Sequence, residues 1–185
     1  IMLHDSNQQQ HIPIVLTGPA QSAAYFTVID DFIGQTLGAK AQTLYTIIVD
    51  DAAAVGSYLY KQKAKIGAYR KAIGDAYGFN WALKIDADFQ HPFVPNHTTM
   101  AELSLSFEQP AHQLAANLRR AFSGIVAGNI KAQSVADIQA KGPYILHGDE
   151  RLAPLLDTLL KSFVEQGRMK LPGSVYTPCF QVTAP

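Results

Sequence analysis

The sequence predicts an α/β fold: the closing strand–helix units of a parallel, doubly wound sheet, followed by a mainly helical extension. Three observations predict it. A short apolar run from Ile12 to Leu16 ends in Thr17-Gly18-Pro19, and a second from Leu44 to Val49 ends in Asp50-Asp51. Each is followed at once by apolar residues at helical spacing. From about residue 74 glycines and prolines break this rhythm, and two long amphipathic helical patterns take over. Unbroken apolar runs of strand length fit a sheet buried on both faces, and strand–helix–strand–helix order with short connections fits parallel pairing.

The first strand is expected over residues 12–16. The helix after it places Tyr25, Phe26, Ile29, Phe32, Ile33 and Leu37 on one face. Asp30, Asp31 and Gln35 take the other face, and Gly38 is its C-cap. The second strand covers 44–49. Asp50 and Asp51 cap the next helix, whose early apolar positions are Ala52, Val55 and Leu59. The basic stretch from Lys61 to Lys71 scatters around that helix and reads as a solvated surface. Two strands alone cannot build a sheet with both faces covered, so further strands are expected from sequence ahead of Ile1. Ile1-Met2-Leu3-His4 reads as the end of a helix, and the chain is expected to have been cut there.

In the second half, Trp81 to Ile85 is a candidate strand within an aromatic-rich connection that includes Phe79, Phe89 and Phe93. One helix is expected from Pro110 to Gly128, with Leu114, Leu118, Ala121, Phe122, Ile125 and Val126 as its stripe. Another is expected from Asp149 to Gln166, with Leu152, Leu155, Leu156, Leu159, Leu160, Phe163 and Val164 on one face. Pro154 is tolerable there only in the first turn. The tail from Lys170 to Pro185 reads as extended. The chain thus divides into 1–73, the sheet units, and 74–185, the extension.

Composition removes several function classes. Of 185 residues, 48% are hydrophobic and 16% charged, which suits a buried core. Fifteen basic and fifteen acidic side chains cancel, so no overall field draws the protein to nucleic acid or to an anionic membrane. No apolar run reaches the ~18 residues of a membrane span. Gln8-Gln9-Gln10-His11 stands where a signal peptide would carry its apolar core. The single Cys179 excludes an internal disulfide, no CxxC pair offers a zinc site, and a reducing, cytoplasmic location is expected. Cys179 reads as an ordinary cysteine of an extended tail rather than a nucleophile.

Four groups of residues are candidates for chemistry. Ile47-Ile48-Val49-Asp50-Asp51 resembles the metal-binding start of a phosphorelay receiver, with Asp86 as its phosphorylation site; helix capping explains the two acids without a metal. Thr17 and Gly18 stand where a parallel sheet binds ligands, beyond the C-terminal end of a strand. No GxGxxG or Walker loop accompanies them. His147-Gly148-Asp149-Glu150 puts an imidazole beside carboxylates, as acid–base chemistry requires. Capping by Asp149, with Glu150 in the first helical turn, is the plainer reading. Arg119 and Arg120 are candidate phosphate ligands, because arginine pairs bidentately with phosphate. At ~100° per residue they flank the apolar stripe on opposite sides, which speaks against both facing one ligand. The plain alternative is two solvated residues whose stems cover apolar surface.

Several blocks taken together carry a resemblance: Ile14 to Pro19, Phe79 to Ile85, Pro95-Asn96-His97, Ala115 to Asn129, and Arg168 to Gly173. The combination resembles the C-terminal part of the bacterial pyrimidine/purine nucleotide 5′-monophosphate nucleosidases. That family is a long-chain branch of the lysine-decarboxylase-like, Lonely-Guy type of nucleotide-binding protein. The resemblance implies a Rossmann-like core and hydrolysis of nucleoside monophosphates to a free base and ribose 5-phosphate, without metal or redox cofactor. It also implies a Pro-Gly-Gly-x-Gly-Thr loop for the phosphate and paired glutamates for the sugar-side chemistry. No position of this sequence matches that motif, so no catalytic residue is expected in the chain, and nucleoside monophosphates would bind through a part ahead of Ile1. The alternative expectation is a regulatory or oligomerisation module that binds a phosphorylated nucleotide effector through Arg119 or Arg120. A homo-oligomer is expected in either case. An independent hydrolase centred on His147 and Asp149 is a third reading.

Overall fold

The computed structural model describes residues 13–72, 74, 90–171 and 176–184. Within them lie two parallel sheets. The first contains β1 (Val15–Gly18) and β2 (Thr46–Val49), in register from Val15 opposite Thr46 to Gly18 opposite Val49. The ladder runs further than expected at one end, because Thr17 and Gly18 pair before Pro19, which lacks an N–H. It is shorter at the other, because Leu44 N–H still donates to Ala41 O at 3.2 Å. That bond closes the short helix α2 (Ala39–Gln42) and keeps Leu44 and Tyr45 out of the strand.

Helix α1 (Ala23–Leu37) follows β1 as expected and stops at Gly38, whose φ of 82° favours glycine. Its outer face is as expected at Asp31 and Gln35, which are exposed, but not at Asp30. Asp30 is only half exposed: Gln42 Nε2 donates to its carboxylate at 3.0 Å, and the Tyr45 hydroxyl donates to it in a short bond. Gly34 makes room for this cluster, since a Cβ there would stand 2.9 Å from Gln42 Nε2. Helix α3 (Ala52–Ala72) has no buried residue, and Leu59 and Tyr60 are exposed. The expected strand at Trp81–Ile85, with Phe79 and Phe89, lies outside the described residues. Phe93 packs on the core.

The second sheet joins β3 (Ser104–Leu105), β4 (Tyr144–Gly148) and β5 (Phe180–Thr183), all parallel, with β4 central. The short helix α4 (His97–Ala101) precedes β3 and is closed by a capping box between Asn96 and Thr99. The connection from β3 to β4 is α5 (Ala111–Ile130) and α6 (Ala132–Lys141); that from β4 to β5 is α7 (Leu152–Glu165). The helices α5 and α7 were expected. Neither α6 nor the sheet was, and the extended tail proves to contain β5. Helix α7 begins three residues later than expected, and Pro154 occupies its first turn, where no N–H is needed.

The core lies between this sheet and its helices. Tyr144, Leu146 and Gly148 point inward from β4, against Leu114, Leu118 and Ile125 of α5 and Leu152, Leu156 and Leu160 of α7. Helix α1 joins the same core from the first sheet: Phe32 meets Phe122 edge-on at 5.4 Å, and Tyr25 meets Phe163 at 5.2 Å. No helix among the described residues is long and apolar enough to cross a membrane.

Candidate functional site

Parallel sheets bind ligands beyond the C-terminal ends of their strands. At the end of the first sheet, Thr17 is exposed and Gly18 O accepts Asp50 N–H at 2.9 Å. Asp50 holds a φ of 56°, a left-handed conformation that a non-glycine residue adopts at a cost. Asp51 Oδ1 accepts Ala54 N–H at 2.7 Å and caps α3, as expected. Gly18 is tightly packed: a Cβ there would stand 2.9 Å from Ser22 Oγ. Ser22, at the start of α1, is buried.

Arg168 arrives at this edge from the segment that follows α7. Its Nη2 donates to Ser22 Oγ at 2.9 Å, and its guanidinium carbon lies 4.8 Å from the centre of the Tyr25 ring. The backbone turn behind it is fixed, with Arg168 N–H and Met169 N–H both donating to Phe163 O. Gly167 takes a φ of 66° to make that turn. No carboxylate among the described residues pairs with Arg168. Residue-by-residue reading did not mark Arg168 as a site residue. It stands 146 positions from Ser22, so no local signal could have joined the two.

The second sheet has its own C-terminal edge, and there the imidazole and the carboxylate part company. His147 points to the open face of the sheet, with Nδ1 3.2 Å from Thr183 Oγ1. Asp149 instead takes Arg151 Nε at 2.8 Å and Arg151 N–H at 3.0 Å. The side-chain hydrogen bond from Arg151 holds the Asp149 carboxyl below the usual carboxylate range. The Arg151 guanidinium also covers the Phe107 ring at 4.8 Å. Asp149 therefore lies ahead of α7 as an anchor for Arg151, with its carbonyl accepting Leu152 N–H. This replaces the expected N-cap, and the geometry forms no His147–Asp149 pair.

Arg119 and Arg120 sit on α5, the first exposed and the second half-buried, on either side of the row formed by Leu118 and Ala121. Each is engaged in an interaction of its own. Cys179 is buried beside β5 rather than carried on a free tail. Its sulfur lies 3.5 Å from Ile125 O and 3.4 Å from Asn129 Nδ2, and burial pushes the thiol up to about 11. A thiol held neutral in this way is a poor nucleophile. Asp86 falls outside the described residues.

The fold and its first edge define a class: an α/β protein of parallel sheets, with an arginine from a distant C-terminal segment at the end of the first strand. Residues 63–183 match the family described as pyrimidine/purine nucleotide monophosphate nucleosidase, C-terminal, and the chain belongs to that family. It is 48% identical over 182 residues to the pyrimidine/purine nucleotide 5′-monophosphate nucleosidases of three Escherichia coli strains. The match covers 98% of this chain and 40% of the length of those relatives.

Proposed function

We propose that this chain is the C-terminal part of a nucleoside 5′-monophosphate nucleosidase, which hydrolyses the N-glycosidic bond to give a free base and ribose 5-phosphate. The observation that carries this reading is the 48% identity over 98% of the chain to proteins of that name. The first sheet supports it, since its strand ends offer a ligand edge of the kind nucleotide-binding folds use. On this reading the described residues up to Ala72 are the last strand–helix units of the nucleotide-binding sheet, and those from Gln90 onward belong to its extension. The glycine loop and the glutamates of the reaction belong to the rest of the protein, and the site of action is the cytoplasm. Incubating the longer protein with AMP, GMP, CMP and UMP tests the proposal. Release of base from at least one is expected, and release from none removes it.

A second role for the extension is assembly or effector binding. It is favoured by the outward face of the second sheet, where Ser104, His147 and Gln181 are exposed and Ile145 and Thr183 half-buried. Parallel sheets are ordinarily covered on both faces. Sedimentation of the protein should show a homo-oligomer. Calorimetry with phosphorylated nucleotides on Arg119→Ala and Arg120→Ala tests whether either arginine recognises an effector, and unchanged binding removes both.

A further inference from the structure

We propose that Arg168 holds the phosphate of a phosphomonoester ligand, a nucleotide or a sugar phosphate, at the C-terminal edge of β1. The proposal rests on the nucleotide reading above and assigns the extension a residue in that site. Four observations point the same way. Arg168 is exposed and donates to Ser22 Oγ, the atom packed against Gly18 at the C-terminal end of β1, where parallel sheets place their ligands. Its orientation is set in advance by the Tyr25 ring on one side and Ser22 Oγ on the other. Holding the guanidinium this way reduces the rotamer freedom lost on binding.

The hydrogen bond to Ser22 uses one N–H of Nη2, and a guanidinium has five N–H donors in a planar fork. The remaining donors have no partner among the described residues. That fork matches two oxygens of a phosphate. Finally, the charge is uncompensated by any described carboxylate, whereas Arg151 at the other sheet edge is neutralised by Asp149. An arginine serving only to tie α7 to α1 would need neither the exposed fork nor the position at a strand end.

Calorimetric titration of the longer protein with AMP, ribose 5-phosphate and adenosine tests this on wild type, Arg168→Ala and Arg168→Lys. The expected result is a loss of about tenfold or more in affinity for AMP and ribose 5-phosphate in Arg168→Ala. Adenosine binding should not change, and Arg168→Lys should recover only part of the loss. If Arg168→Ala does not fold, Arg168→Met, which keeps an unbranched apolar stem without the charge, takes its place. Unchanged AMP affinity, or an equal loss for AMP and adenosine, overturns the proposal. Base release with AMP affinity untouched by Arg168→Ala defeats this assignment alone. Phosphate-dependent binding without base release defeats the nucleosidase reading alone.

Discussion

Cys179 sits in the core with its sulfur against Ile125 O and Asn129, and burial raises its thiol from 9.0 to about 11. In the unfolded chain the thiol ionises near its ordinary value, while in the folded protein it stays protonated. Its contribution is therefore complete below pH ~9 and is lost as pH rises towards 11, by roughly 1.4 kcal/mol per unit of pKa difference. Tyr144 and Tyr176, both raised chiefly by burial, act in the same direction. Urea titrations of wild type and Cys179→Ala between pH 8 and 11 should show a shallower decline in the variant. Iodoacetamide at neutral pH should label Cys179 only after denaturation. Asp149 behaves in the opposite sense: its carboxyl is lowered, so its contribution is present at neutral pH and fades as pH falls. Because Arg151 is exposed and water reaches the pair, Asp149→Asn should alter the acid limb of stability only slightly.

Between elements, glycines decide how closely neighbours approach. A Cβ at Gly128 would stand 2.6 Å from Ile138 Cδ1 and 2.8 Å from Cys179 Sγ, so α5, α6 and the start of β5 meet only because that position is bare. At Gly148 the same atom would run into the backbone carbonyl of Leu105, which cannot give way without breaking the β3–β4 pairing. Gly148→Ala and Gly128→Ala should each lower stability by about 1–3 kcal/mol, with Gly148→Ala the more damaging because its obstacle is backbone. Leu156→Ala should cost about 2–5 kcal/mol by emptying a fully buried site of α7. Chemical denaturation followed by circular dichroism measures all three.

The elements differ in how plainly their residues announce them. Helices α1, α5 and α7 repeat apolar residues over several turns, which any packing partner must respect. Helix α6 offers only Val135 and Ile138 as sizeable apolar residues, too few for a stripe. Strand β3 has two residues and β5 is a short run after a proline, so neither carries a period to read.

Across the described residues, the second sheet is buried on its inner face and the first sheet on neither. Every strand residue of β1 and β2 keeps some exposure, and α3 buries none of its residues, whereas Leu105, Tyr144 and Leu146 of the second sheet are almost inaccessible. Stability should follow burial. In hydrogen exchange on this chain, amides of β1, β2 and α3 should exchange markedly faster than those of β4 and α7. Equal protection would contradict the packing described. Helix α1 should fall between, because Phe32 and Tyr25 anchor it to α5 and α7.

By itself the sequence determined the alternation of strand and helix in the first part, the long helices of the second and the family likeness. Those features rest on local periods and contiguous blocks, which are written along the chain. Only the tertiary structure decided that β5 pairs with β4, that Cys179 is buried, that His147 and Asp149 take separate partners, and that Arg168 reaches Ser22. Each of these depends on groups brought together by core packing, and packing energy depends on distance in space, not on separation along the chain.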